Sequence, residues 1–266
     1  MSTRAGKCPV DNGELAFEVA GEGPALVLIH GFSLDMRMWR PQFEALAAAF
    51  TVVRYDLRGF GRSSAPCAEY DHCSDLAQLL GHLGIDRPLL VGLSLGANIA
   101  LRYATLCPEN VHGLVLASPG LPGHAWKEMR PPEAALARAR AHGVKAAKQF
   151  WLGHEMFASL DDYPQAKAEV AEIVADYSGW HWRGTDMQAP AEPIIPQLEH
   201  IRAPALVISG DRDVAGYREI AQRIADSVPG ASLLRLETAG HMLNLEQPEI
   251  FTDAVRRFAA SQMLEA

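Results

Sequence analysis

Residues 91–100, VGLSLGANIA, place a lone serine at the point where an apolar run meets a run of small residues. Gly92 and Gly96 flank Ser94 in the pattern G-x-S-x-G. Between a strand and a helix this pattern forms a sharp turn that lifts the hydroxyl out of the sheet edge, and the glycines relieve crowding there. Serine is also a common helix N-cap. The apolar run before Ser94 and the helical pattern after it favour a nucleophile.

Apolar runs alternate with helical patterns on both sides of this turn. Nearly continuous apolar runs suit strands that are covered on both faces of a parallel sheet. Residues 15–19 alternate instead, as in a half-buried antiparallel strand. The alternation of strands and helices predicts an α/β fold with a mostly parallel central sheet flanked by helices. The predicted strands are 15–19, 25–29, 51–55, 88–93, 113–117, 204–209 and 232–236, and the predicted helices are 37–49, 71–83, 95–107, 217–227 and 248–260.

The segment 121–195 interrupts this alternation. It contains two or three helical patterns and a proline-spaced stretch, and none of its runs has the pattern of a strand. We therefore predict a helical cap at 121–195, inserted over the carboxyl edge of a sheet that is built from residues 1–120 and 196–266. Open α/β sheets bind their ligands at that edge.

A serine hydroxyl needs a base to become a nucleophile, and the base needs an acid to fix its tautomer. His241 follows the last predicted strand in the sequence Ala-Gly-His, before the helix that starts at 248. The strand 204–209 is followed by Gly-Asp-Arg-Asp, which offers both Asp211 and Asp213 as the acid. The order along the chain is serine, aspartate, histidine.

With these motifs the chain resembles the α/β-hydrolase fold superfamily over nearly its whole length. The resemblance rests on the turn around Ser94, on HGF at 30–32, on YDLRGFGRS at 55–63, on GDRD at 210–213, and on Gly240-His241 with Glu246 and Pro248. Within the superfamily the chain is similar to small serine esterases, enol-lactonases and cofactor-free haloperoxidases, which are also called perhydrolases.

This resemblance implies a role for each matching residue. Ser94 is the implied nucleophile and His241 the implied general base and acid. Asp213 orients His241, with Asp211 as a less favoured alternative. The backbone amides of Phe32 and Leu95 form the implied oxyanion hole.

The implied reaction is hydrolysis of a small to medium, fairly apolar carboxylic ester or lactone. The serine excludes close relatives that use an aspartate nucleophile. A perhydrolase, a thioesterase, a C–C bond hydrolase and a hydrolase-like ligand receptor remain as alternatives, because a fold does not determine a reaction. We predict that Trp151 and Phe150 in the cap, and Met242 in the loop that carries His241, contact the substrate.

The composition of the chain limits the partners and the cellular location that we expect. The 266-residue chain has a formal net charge of −8 and no basic block, which argues against a nucleic-acid partner. No apolar run is long enough for a signal peptide or a membrane helix, and the four cysteines form no C-x-x-C pair. We therefore expect a cytoplasmic enzyme that acts on a small molecule, without a metal, a cofactor or a membrane partner.

Overall fold

The computed structural model describes residues 2–184 and 186–264, and in this part of the chain eight strands form one sheet. The spatial order is β1-β2-β4-β3-β5-β6-β7-β8. The strands from β3 to β8 run parallel, and β1 and β2 are antiparallel to their neighbours. This topology confirms the predicted α/β-hydrolase fold. The strands are β1 Thr3–Val10, β2 Gly13–Ala20, β3 Ala25–Ile29, β4 Thr51–Tyr55, β5 Leu89–Leu93, β6 Gly113–Ala117, β7 Ala205–Gly210 and β8 Ser232–Leu236.

Helices connect and cover the strands. The α-helices are α1 Arg40–Leu46, α2 His72–Leu83, α3 Leu95–Leu106, α4 Pro131–His142, α5 Val144–Leu152, α6 Pro164–Asp176, α7 Trp180–Arg183, α8 Ala215–Ser227, α9 Leu243–Glu246 and α10 Pro248–Leu264. Short 3-10 helices lie at Met36–Trp39, Pro108–Asn110, Glu155–Asp162 and Ile195–His200. None of the helices in the described part of the chain combines the length and apolarity that crossing a membrane requires.

The central strands are buried along their whole length. Every residue of β5, β6 and β7 is buried, which is why these strands read as continuous apolar runs rather than as alternating ones. Parallel strands direct their carboxyl ends to one edge of the sheet. The loops that follow β3, β5, β7 and β8 therefore meet there, and they carry the sequence motifs.

The structure differs from the sequence predictions at two elements. The strand β1 is absent from the predicted set, because Gly6 and Pro9 interrupt its pattern and four of its first five residues are exposed. It is an edge strand that pairs with β2 through its backbone. The predicted helix 37–49 is a 3-10 turn followed by α1, which ends at Leu46.

The segment 121–195 contains α4 to α7 and the 3-10 helix Glu155–Asp162. The rings of Trp151 and Trp182 lie 5.7 and 5.8 Å from the ring of Phe32, which follows β3. In the described part of this segment, Gln188 forms an isolated β-bridge with Tyr70, which lies outside the segment. The division into a core (1–120 and 196–266) and a cap (121–195) stays a prediction.

Candidate active site

Ser94 occupies a strained turn between β5 and α3. Its backbone has φ 54° and ψ −106°, outside the conformations that a serine ordinarily adopts. Its amide donates to the carbonyl of Ala117 over 2.9 Å, and its carbonyl accepts from the amide of Asn98 over 3.0 Å. Its side chain makes no capping hydrogen bond to α3 within the described residues. The geometry is that of the sharp strand-to-helix turn that the sequence predicts, and not of an ordinary N-cap.

Two glycines make this turn possible. A Cβ on Gly96 would collide with the carbonyl oxygen of Ile29 at the end of β3, and a Cβ on Gly92 would collide with the backbone of Gly96. The start of α3 therefore packs directly on the end of β3. This close approach places Leu95 next to the loop that carries Phe32.

The loop after β3 is held in place by His30. The Nδ1 atom lies 2.8 Å from the Gly31 carbonyl oxygen, and Nε2 lies 2.9 Å from the Leu57 amide. A carbonyl only accepts and an amide N–H only donates, so His30 is neutral with the proton on Nδ1. Burial lowers the pKa of His30 to about 4, which agrees with that assignment. His30 thus fixes the backbone that precedes Phe32.

His241 and Asp213 form a buried pair. The Nδ1 atom of His241 lies 2.8 Å from Oδ2 of Asp213, and the two side chains are 2% and 1% exposed. A carboxylate only accepts, so Nδ1 carries the proton and Nε2 is free to act as a base. Asp211 lies instead on the partly exposed side of the loop, 3.9 Å from Arg235. The geometry therefore pairs His241 with Asp213 and not with Asp211.

Glu246 holds the loop that carries His241. Its carboxylate accepts the amide of Gly240 over 2.6 Å and the amide of Met242 over 3.0 Å. It also accepts the hydroxyl of Ser159, from the 3-10 helix Glu155–Asp162, over 3.0 Å. The amides on both sides of His241 are thus fixed by one buried carboxylate, although burial raises its pKa.

Tyr217 on α8 lies next to Ser94 and His241. Its ring centroid lies 4.3 Å from that of His241, and its side chain lines the cavity together with Ser94. Burial raises the pKa of Tyr217 to about 12, so the phenol is neutral. Sequence reasoning missed this residue. Its only signal is its position four residues after Asp213, at the start of a helical pattern.

A cavity of about 520 Å³ opens in front of Ser94. Phe32, Leu95 and Tyr217 also line it. The wall is more polar than the sequence predicted, because His72, Asn98, His124, Arg130, Glu133, His181, Asp186 and Gln188 contribute to it.

The three residues predicted to bind substrate lie outside the lining of this cavity. Trp151 is buried behind it and contacts Phe32 ring to ring. Met242 is buried in the histidine loop, and Phe150 is 39% exposed. Trp151 also packs against Trp182, which lines the cavity, at 6.1 Å between ring centroids.

Comparison with known proteins agrees with this architecture. The family model described as the alpha/beta hydrolase family matches residues 26–254. An uncharacterised protein of Mycobacterium tuberculosis is 32% identical, over 91% of this chain and 77% of that protein. The carboxylesterase YbfK of Bacillus subtilis is 27% identical, over 89% and 80% of the two chains. The crystal structure of the enol-lactonase from Burkholderia xenovorans superposes with a TM-score of 0.84 at 27% identity, covering 96% of this chain and 100% of that one. The chain belongs to the alpha/beta hydrolase family.

Proposed function

We propose that this hydrolase is a serine carboxylic ester hydrolase that cleaves small to medium esters or lactones through Ser94, His241 and Asp213. The observation that carries the proposal is the pairing of His241 with Asp213 at 2.8 Å, at the same edge of the sheet as a strained Ser94 that lines a cavity. The similarity to a carboxylesterase and an enol-lactonase supports the same reaction class. A cavity of about 520 Å³ suits a small-molecule substrate.

In the acylation step, Oγ of Ser94 attacks the carbonyl carbon of the ester while Nε2 of His241 takes the hydroxyl proton. The carbonyl oxygen becomes negative and accepts hydrogen bonds from the amides of Leu95 and Phe32. Asp213 stabilises the protonated His241, which then donates its proton to the departing alcohol oxygen. The C–O bond breaks, and the acid part remains on Ser94 as an ester.

In the deacylation step, water replaces the alcohol. His241 takes a proton from the water, the hydroxide oxygen attacks the acyl carbon, and Oγ of Ser94 leaves with the proton that His241 returns. The products are the free acid and the original enzyme. For a lactone the acid and alcohol parts are one molecule, and the ring opens without any other change in the sequence of steps.

The test is a chain-length series of p-nitrophenyl esters with the wild type, Ser94→Ala and Ser118→Ala. Ser118 is a matched control, because it is also a buried serine with positive φ at the end of a neighbouring strand. We expect turnover by the wild type and by Ser118→Ala, and a loss of kcat by several orders of magnitude in Ser94→Ala. Equal rates in wild type and Ser94→Ala would exclude Ser94 as the nucleophile.

A further inference from the structure

Four side chains on the cavity wall carry a buried polar atom that has no partner in the described part of the chain, and two of them, His72 and Asn98, lie on neighbouring helices close to Ser94. His72 is 1% exposed, and Asn98 is partly buried. Within the described residues, Nδ1 of His72 and Oδ1 of Asn98 have no hydrogen-bond partner. Both residues line the cavity that contains Ser94. A buried polar atom without a partner destabilises a protein unless a ligand or water satisfies it. These two atoms indicate where a substrate would bind through hydrogen bonds.

The two residues are held on the same wall by contacts between their helices. Asn98 lies in the first turn of α3, and His72 is the first residue of α2. Asp71, the N-cap of α2, forms an ion pair with Arg102 of α3 at 3.0 Å. The thiol of Cys73 donates to the Ile99 carbonyl over 3.7 Å. These contacts fix the start of α2 against the start of α3, next to the nucleophile.

The pair suits an uncharged group. An asparagine amide carries no charge, and burial lowers the pKa of His72 to about 3, so the imidazole is neutral near pH 7. The ring of His72 packs edge-on against that of Tyr70, with centroids 5.1 Å apart. A neutral imidazole and an amide can each donate and accept. Oδ1 of Asn98 only accepts, so their common partner is a hydroxyl, which can donate to Oδ1 and pair with Nδ1 of His72, and not a carboxylate.

The position of His72 and Asn98 indicates that they face the acid part of an ester bound at Ser94, and not its alcohol part. His241 and Asp213 approach Ser94 from the loops after β8 and β7, and His241 must lie next to the departing alcohol to protonate it. The helix α2 packs against β1 and α3, on the opposite side of the sheet's centre. The acid part therefore extends toward His72 and Asn98. Asn98 follows Ser94 by four residues, which is about one helical turn and about 5–6 Å between Cβ atoms. A substituent on the third or fourth carbon of an acyl chain attached to Ser94 would therefore lie within reach of Asn98.

We propose that His72 and Asn98 form a subsite for a hydroxyl group on the third or fourth carbon of the acid part of the ester. The proposal rests on the proposed function, and it makes the substrate an oxygen-substituted acyl ester or lactone rather than a plain alkyl one. It refines the fairly apolar substrate that the sequence predicted.

The test compares p-nitrophenyl 3-hydroxybutanoate with p-nitrophenyl butanoate in the wild type, His72→Phe and Asn98→Leu. Gln149→Leu serves as the control, because it removes an exposed amide on α5 outside the lining of the cavity. We expect the wild type and Gln149→Leu to prefer the hydroxy ester by about tenfold in kcat/KM, and the two test variants to lose that preference while still hydrolysing the butanoate. The subsite would be overturned if the wild type hydrolysed the two esters with equal kcat/KM, or if both test variants kept the wild-type preference for the hydroxy ester.

Binding gives a second measurement that needs no turnover. Ser94→Ala keeps the cavity, so calorimetry can compare methyl 3-hydroxybutanoate with methyl butanoate on this variant and on Ser94→Ala with Asn98→Leu. Tighter binding of the hydroxy ester, lost in the double variant, supports the subsite even if the wild type hydrolyses neither ester, in which case only the proposed function fails. Equal binding of the two esters refutes the subsite, whatever the rates are.

Discussion

Tyr217 gives Ser94, the proposed nucleophile, a polar neighbour besides His241 and Asp213. It lines the cavity together with Ser94, and its ring lies against His241. In the proposed mechanism, negative charge develops on Oγ as its proton moves to His241. We expect the neutral phenol of Tyr217 to stabilise that charge by donating a hydrogen bond, while the ring restricts the orientation of the imidazole.

We expect Tyr217→Phe to lower kcat about tenfold with little change in KM, because the phenyl ring keeps the contact with His241 and only the hydroxyl is lost. Initial rates across substrate concentration measure both constants. Tyr217→Leu, which loses the ring as well, should fall further. If Tyr217→Phe keeps the wild-type kcat, the hydroxyl has no part in the reaction and the residue only packs.

At the scale of elements, the histidine loop depends on a carboxylate that bridges it to the 3-10 helix Glu155–Asp162. Glu246 accepts three hydrogen bonds, two from the amides around His241 and one from Ser159. In Glu246→Gln one oxygen is replaced by an NH₂ group, which would face a donor. We expect the free energy of unfolding to fall by about 2–3 kcal/mol and kcat to fall with it, because His241 loses its support.

Urea unfolding and ester hydrolysis measure both effects. Ser159→Ala is the matched control, since it removes one of the three hydrogen bonds and leaves both loop amides paired. We expect it to lose less stability and to keep most of the activity. A larger loss in Ser159→Ala than in Glu246→Gln would mean that the contact with the 3-10 helix, and not the loop amides, holds the histidine.

The strands are the elements that the sequence predicts best. The strands at 25–29, 51–55, 113–117 and 232–236 are found at the predicted residues. The first three are largely buried parallel strands and therefore have apolar runs, whereas 232–236 is an edge strand of which only Leu236 is buried. Positions such as Ser94, Asp213 and His241 follow strands directly, so topology alone brings them to one edge. The contact between His241 and Asp213 follows from that placement.

Contacts between helices were not predictable in this way. His72 and Asn98 lie on separate helices, and only the packing of α2 on α3 places both on the cavity wall. Tyr217 and Ser159 reach the active-site loops from α8 and from the 3-10 helix in the cap segment. No pattern of single residues encodes how one helix face meets another.

On the scale of the whole molecule, three buried histidines are neutral in the folded protein. Burial lowers the pKa of His30 to about 4, of His72 to about 3 and of His181 to about 4, from an ordinary value of 6.5. Between pH 6.5 and about 4 the unfolded chain therefore binds protons at these sites that the folded chain does not. Stability that depends on these groups is complete above pH 6.5 and is lost as the pH falls. Asp56 works in the opposite direction, because burial raises its pKa to about 6 and the folded protein then holds a proton that the unfolded chain lacks.

On acidification the three histidines lower the free energy of unfolding by more than Asp56 raises it. We expect the free energy of unfolding to fall by about 3 kcal/mol between pH 7.5 and pH 5.5. Urea unfolding at the two pH values measures the difference. In His72→Phe one of the three sites is gone, so the loss should shrink by about a third even if the variant is less or more stable overall. A free energy of unfolding that stays constant or rises on acidification would show that the three histidines already bind protons in the folded protein, and so that their burial does not keep them neutral.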